Sequence, residues 1–387
     1  MVFACVYATT APIDSGGGAA DAGPGVTDLP LVAEPSWVYR PLTLEGLTSN
    51  AELVVRAEVT GVDSGPDLTG MDDAESVAGG LLSASTGQAR AEEPPIPTQR
   101  VAVRTLESLK GNAPAALSLF KTGSADFLLE GDPSYAVGER YLLFLVPRAD
   151  GTYVPVAPDG RLLVTSTGAV EPVIQGDVAN EVAGDSVQDV EAAVRQADAA
   201  DDSDTSAGEL GVEDILLAND EFFAAARTRH NMGDHRARKW FDEGYWIHQH
   251  TRNYPTYSGI DNRRIEDFAQ SARREWAVDT TLSLPKAGHD ASRMHLMDGD
   301  YGRTGWSGLA SQYFHDNHGH VRYNLFYLRA ASDKFTRGVA CQEMGHILGL
   351  DHGGHDCMVA GYQGKYPYTA GVGGFNIGLV RDAYSDH

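Results

Sequence analysis

The chain of 387 residues is 42% hydrophobic and 22% charged, the composition of a globular protein with room for two or three domains of about 150 residues each. Its 54 acidic against 30 basic side chains leave a formal charge of -24, which excludes the basic footprint of a nucleic-acid binder. No apolar run reaches the roughly 18 to 20 residues of an integral membrane span, and the 3 cysteines are too few for a disulfide scaffold, so a hydrophobic core has to hold the fold.

Charge and histidine are segregated along the chain. Residues 1–221 carry 11 basic and 36 acidic side chains, residues 222–387 carry 19 and 18, and all 13 histidines lie from His230 onward. Histidine chemistry therefore belongs to the C-terminal part. The first basic residue is Arg40, so the charged start of a secretory signal is missing, as if the chain were truncated. Val2-Phe3-Ala4-Cys5 resembles the end of a bacterial lipoprotein signal, which leaves secretion or tethering at the cell surface as the two expected destinations.

Residues 1–35, rich in Gly, Ala, Asp and Pro without periodicity, read as a disordered leader or tether. A domain over 36–175 follows. Leu42 to Asn50 is predicted as a short helix and Leu53 to Thr60 as a strand, with an acidic Gly/Ser/Pro insertion from Asp63 to Thr98. Further strands are predicted at Arg100–Leu106, Ala116–Thr122, Tyr141–Val146, Tyr153–Val156 and Arg161–Thr165, each bounded by Gly, Pro, Asn or Asp. Six short strands imply a small all-β barrel or sandwich. The stretch Arg100–Gly111, ending Leu-Lys-Gly, resembles a strand-turn unit of netrin-like and metalloprotease-inhibitor-like barrels, so the expected form is an OB-like barrel.

Residues 176–225 read as an acidic linker, extended or partly helical: 13 acids accompany the single Arg195 between 181 and 221. Residues 226–387 read as an α+β domain. Ile265, Phe268, Ala269, Ala272 and Trp276 share one helical face, Thr280–Leu284 is a predicted strand, and His248 and His250 alternate with Trp246 in another. Asp298 and Asp300, beside Gly299 and Gly302, are a candidate Ca2+ pair, weighed against an ordinary hydrated turn.

Residues 338–361 carry the chemistry. They read GVACQEMGHILGLDHGGHDCMVAG and place Glu343, His346, Gly349 and His352 at the spacing E-x-x-H-x-x-G-x-x-H. On a helical wheel Ala340, Met344, Ile347 and Leu348 share a packing face, while Gln342 and His346, one turn apart, lie together opposite it. Gly349 allows the helix to end in a left-handed turn that brings His352 back toward the same point. Cys341 and Cys357 bracket this segment and form a candidate disulfide, with soft metal ligation as the rival role.

This segment resembles the metzincin zinc-peptidase signature H-E-x-x-H-x-x-G-x-x-H with its following Met-turn, in the form found in secreted actinobacterial enzymes. The resemblance implies a Zn2+ ion held by residues at 342, 346 and 352, Glu343 as general base, Met358 beneath the metal, and a protein or peptide substrate. Gln342 departs from the pattern, since an amide offers zinc only its carbonyl oxygen, a poorer donor than imidazole. Asp351 and His355 are further candidate donors. Tyr362 is the candidate oxyanion group, displaced by two residues from where the family has a Tyr and this chain has Ala360. His318–Leu328 resembles the family's substrate-binding edge strand, with an ordinary core strand as the alternative; Tyr301–Ala310 resembles the family's preceding glycine-rich loop and Asn376–Tyr384 its closing helix. The expected function is a zinc-dependent endopeptidase; the rival is a catalytically inactive relative serving as an extracellular binding module.

Overall fold

A computed structural model describes residues 31–38, 43–70, 94–174, 177–201, 253–280, 282–313, 318–350, 352, 356–358 and 370–384. The fold is α+β with two sheets. The first contains β2 (Leu53–Ser64), β3 (Thr98–Lys110), β4 (Ala116–Thr122), β7 (Tyr153–Pro155), β6 (Arg140–Pro147), β8 (Arg161–Val164) and β9 (Val170–Pro172), in that order. An additional antiparallel pairing of β2 with β6, from Leu53↔Leu145 to Glu58↔Arg140, closes the order on itself.

Strand alternation feeds two cores at once. Val55, Ala57, Val59, Val101, Val103, Leu117, Leu119, Tyr141, Leu143 and Leu145 point into the closed sheet. Val54, Leu142 and Phe144 point the other way, beneath α1 (Leu44–Asn50), α2 (Asp177–Val182) and α3 (Val187–Asp201). In the acidic stretch Val178, Val182, Val187, Val190 and Val194 are buried at helical spacing, so much of the expected linker packs as helix. Its acids find partners: Glu191 lies 2.9 Å from Arg56, and Asp198 lies 3.9 Å from Lys110.

The second sheet has the order β10 (Thr256–Gly259), β11 (Met294–Gly299), β13 (His318–Asn324), β12 (Trp306–Tyr313), β1 (Leu31–Trp37) and β5 (Phe127–Leu129). Four of its strands come from the C-terminal half and two from the N-terminal half. β1 therefore starts inside the segment whose composition reads as a leader; its order comes from pairing with β12 on one side and β5 on the other. The halves are tied further by Trp306 Nε1 donating to Thr122 Oγ1 at 3.3 Å and Arg322 Nη2 donating to the Pro94 carbonyl at 2.8 Å.

Two helices cover the C-terminal strands. Asn262 caps α4 (Arg263–Asp279) by accepting from the N–H groups of Arg264 and Ile265, and Ile265, Ala269, Ala272 and Trp276 form its buried stripe. Ser332 caps α6 (Asp333–Ile347), which lies between α4 and β12. A single turn, α5 (Leu325–Leu328), follows β13, and α7 (Gly374–Ala383) closes the described chain. Among the described residues of the predicted strand at Thr280–Leu284 there is an isolated bridge between Ser283 and Asn253 in place of a strand, and the His248–His250 strand lies outside the described residues.

Candidate active site

Helix α6 carries the site. Its C-terminus is a complete Schellman motif: Leu350 N–H donates to the Gly345 carbonyl at 3.0 Å and Gly349 N–H to the His346 carbonyl at 2.9 Å. Gly349 sits at φ 94°, which a side chain would strain. This reversal places the Leu350 carbonyl 2.8 Å from His346 Nδ1. Nδ1 therefore carries a proton, and in the neutral imidazole this leaves the lone pair on Nε2, the arrangement that a metal-binding imidazole requires. That lone pair faces His352: the two Nε2 atoms are 3.1 Å apart with the rings at 89°. Two ligands at about 2.0 to 2.1 Å from one tetrahedral zinc stand a little over 3 Å from each other, so this pair fits.

Glu343 is fully buried on the same helix. Burial pushes its carboxyl up to about 7, against the opposing pull of His346, the Ser36 hydroxyl and the backbone N–H groups of Ala310 and Ser36. Its Oε2 has no hydrogen-bond partner among the described residues, a costly arrangement for a structural carboxyl and a serviceable one for a proton acceptor. Helix and strand meet closely here. A side chain at Gly308 of β12 would run into Glu343 and Val339, which is why this strand position is glycine. Tyr323, opposite Gly308 on β13, is buried beside Glu343 and is held well above the usual phenol range by burial and that neighbouring charge.

Met358 packs directly under the helix. It is fully buried, and its Sδ occupies the space that a Cβ at Gly345 would need. Cys341 and Cys357 form a disulfide with Cα atoms 5.9 Å apart, linking the middle of α6 to the 3-10 turn Asp356–Met358. The bridge settles their role against metal ligation. Trp276 Nε1 donates to the Cys341 carbonyl at 3.1 Å and fixes this wall to α4.

Gln342, 7% exposed, stands one turn before His346. Its Oε1 accepts from Ser36 Oγ at 2.6 Å, and Ser36 Oγ also meets Glu343 Oε1. One hydroxyl proton cannot serve both acceptors. With Glu343 protonated, the bonds run in one direction: Glu343 donates to Ser36 and Ser36 donates to Gln342. Ser36 escaped sequence reasoning because it lies at the border of a low-complexity segment and gains its place from a strand pairing far along the chain.

Among the described residues no group of three His, Cys, Asp or Glu side chains is arranged so that it could hold a metal ion; the third candidate donor at this site is an amide. Tyr362, Asp351 and His355 lie outside the described residues. The substrate edge is corrected: β13 is an interior strand between β11 and β12, and the antiparallel strand at the border of the C-terminal set is β12, part of which was read as the glycine-rich loop. The acidic pair is filled by the chain's own donors. Asp298 accepts from the N–H groups of Asp261 and Asn262 at 3.0 and 2.9 Å, and Asp300 accepts from Gly302 N–H and lies 2.9 Å from Arg329 Nη1. A second concentration of histidines went unremarked in the sequence: His295 of β11 has the rings of His289, His318 and His320 at 4.4, 4.8 and 5.0 Å. No protein-family model matches the chain and no curated protein matches it, so the functional reading rests on the geometry of this site.

Proposed function

We propose that the protein is a zinc-dependent endopeptidase with a metzincin-like C-terminal domain and an OB-like N-terminal barrel, secreted or held at the cell surface. The observation that carries this reading is the convergence of His346 and His352 through their Nε2 atoms beside a buried carboxyl with one oxygen unpartnered among the described residues. A buried disulfide fits an oxidising compartment, and among the described residues no helix is long and apolar enough to cross a membrane.

His346, His352 and the Oε1 of Gln342 are the residues that would hold the ion. Zinc, when bound, supplies the Lewis acidity that makes water a nucleophile near neutral pH. The chain's own part follows from the site. The Leu350 carbonyl keeps His346 in the tautomer that presents Nε2. Glu343, poised near neutrality, takes a proton at Oε2 and returns one to the leaving amine. The edge of β12 that β1 occupies in this structure is where an extended peptide would have to pair to lie across the mouth of the site.

The rival reading, a binding module on a retired peptidase scaffold, is favoured by Gln342 standing where imidazole would bind more strongly. Elemental analysis separates the two. About one zinc per chain, lost in His346→Ala and retained in Glu343→Gln, together with chelator-sensitive casein cleavage lost in both variants, is the expected result. Protein that takes up no zinc from excess metal would refute the peptidase.

A further inference from the structure

We propose that the cavity walled by Lys121 and Arg161, between the closed sheet and the second sheet, is a binding site for a short-chain aliphatic carboxylate. The inference is independent of the peptidase reading and of the residues on α6.

The cavity has a volume of about 50 Å3. Lys121 of β4 and Arg161 of β8 line it from the closed sheet, and Trp37 and Gly305 from the other side. Both cations are buried, at 6% and 2% exposure, and Asp132 serves the two of them: its Oδ2 lies 2.5 Å from Lys121 Nζ and its Oδ1 3.1 Å from Arg161 Nη1. Two buried cations against this one carboxylate leave a positive charge out of water, which is costly unless a further anion offsets it. Burial pulls the Lys121 ammonium below its usual range; Asp132 opposes the shift and the charge of Arg161 adds to it.

Hydrogen-bond donors are left over as well. Lys121 Nζ donates to the carbonyl and the carboxylate of Asp132, which leaves a third ammonium N–H. Arg161 commits Nη1 to Asp132 and the Pro133 carbonyl, and Nη2 to the Ser134 carbonyl and the Tyr141 hydroxyl. Its Nε is buried with no partner among the described residues. The guanidinium lies 3.5 Å over the Tyr135 ring, a contact that holds it in place.

Size and lining narrow the ligand. A volume of about 50 Å3 is several times the roughly 10 to 15 Å3 that admits one water. It has room for a carboxylate with a few carbons and not for a nucleotide or an oligosaccharide. A smaller hollow of about 20 Å3 shares Val154, Pro155, Ala157 and Gly305 with the first and adds Val146 and Val156. This apolar recess suits an aliphatic end and offers little to a hydrated inorganic oxyanion. A single surplus charge calls for a monoanion.

Calorimetric titration of the full chain with isobutyrate, at constant ionic strength, tests the assignment, with chloride and inorganic phosphate as comparison probes. Isobutyrate is expected to bind once per chain with a Kd of roughly 1 mM, at least about tenfold tighter than either comparison anion. Lys121→Met should weaken it at least about tenfold. Ala157→Leu, which fills the wall common to both hollows and leaves every charge in place, should abolish binding. No isobutyrate bound by the unmodified chain up to about 50 mM would overturn the proposal, a result that needs no variant to fold. Chloride or phosphate bound as tightly as isobutyrate would overturn the carboxylate assignment, and unchanged affinity in both variants would overturn the location.

Discussion

Acidification from pH 6.5 to 4.5 should weaken the fold through His295 in the first place. This ring, 1% exposed on β11, is enclosed by His289, His318, His320 and Tyr257, with Arg322 nearby. Burial, reinforced by the charges that His289, His318 and Arg322 can carry, depresses it to about 4. The unfolded chain takes up this proton near pH 6.5, whereas the folded chain resists until about 4. The contribution is therefore complete above 6.5 and is lost as pH falls through that window. The gap, at about 1.4 kcal/mol per pH unit, amounts to about 3 kcal/mol, a large share of the roughly 5 to 15 kcal/mol that typically holds a protein folded. His320, depressed still further by burial, acts in the same direction. Urea unfolding at pH 7.5, 6.5, 5.5 and 4.5 should show the unmodified protein losing stability more steeply than His295→Gln, whatever the variant's starting value. Parallel curves for the two proteins would show that His295 is not held neutral by the fold.

Other consequences concern α6 and α7. Replacing Cys341 and Cys357 together by Ser should cost about 3 kcal/mol, from the loop that the bridge closes, and should appear as a lower thermal midpoint that added reductant does not lower further. Gly345→Ala should cost about 1 to 3 kcal/mol, because its Cβ would occupy the space of Met358 Sδ and approach Trp276 at 3.1 Å. Gly378→Ala, in α7 with nothing within 4 Å of a new Cβ, should be neutral or stabilising by up to about 1 kcal/mol. Denaturant midpoints of the two glycine variants, measured side by side, check both; equal values would contradict the close packing under α6. Gly349→Ala should cost about 1 kcal/mol or more through its φ of 94° alone, measurable in the same series.

What the sequence determined by itself was local. The strand at Ala116–Thr122 has its expected bounds, the stripe from Ile265 to Trp276 forms a buried helical face, and Gly349 ends α6 in a left-handed turn, because each follows from side-chain period or backbone freedom within a few residues. The spacing of His346, Gly349 and His352 belongs to the same class: helix and cap geometry convert it into two facing nitrogens. The buried valines of α2 and α3 were legible as a period, yet the acids between them gave the stretch the composition of a linker. Tertiary structure alone decided the rest. Alternation in His318–Asn324 announces a strand but not its neighbours, so only the sheet order could make β13 interior and β12 the border. The order of Leu31–Trp37, the seating of Ser36 on Gln342 and Glu343, and the meeting of His295 with His320 across β11 and β13 all depend on backbone pairing between segments distant along the chain. Every residue type carries a backbone carbonyl acceptor and all but proline an N–H donor, so such pairings leave no signature in composition or periodicity.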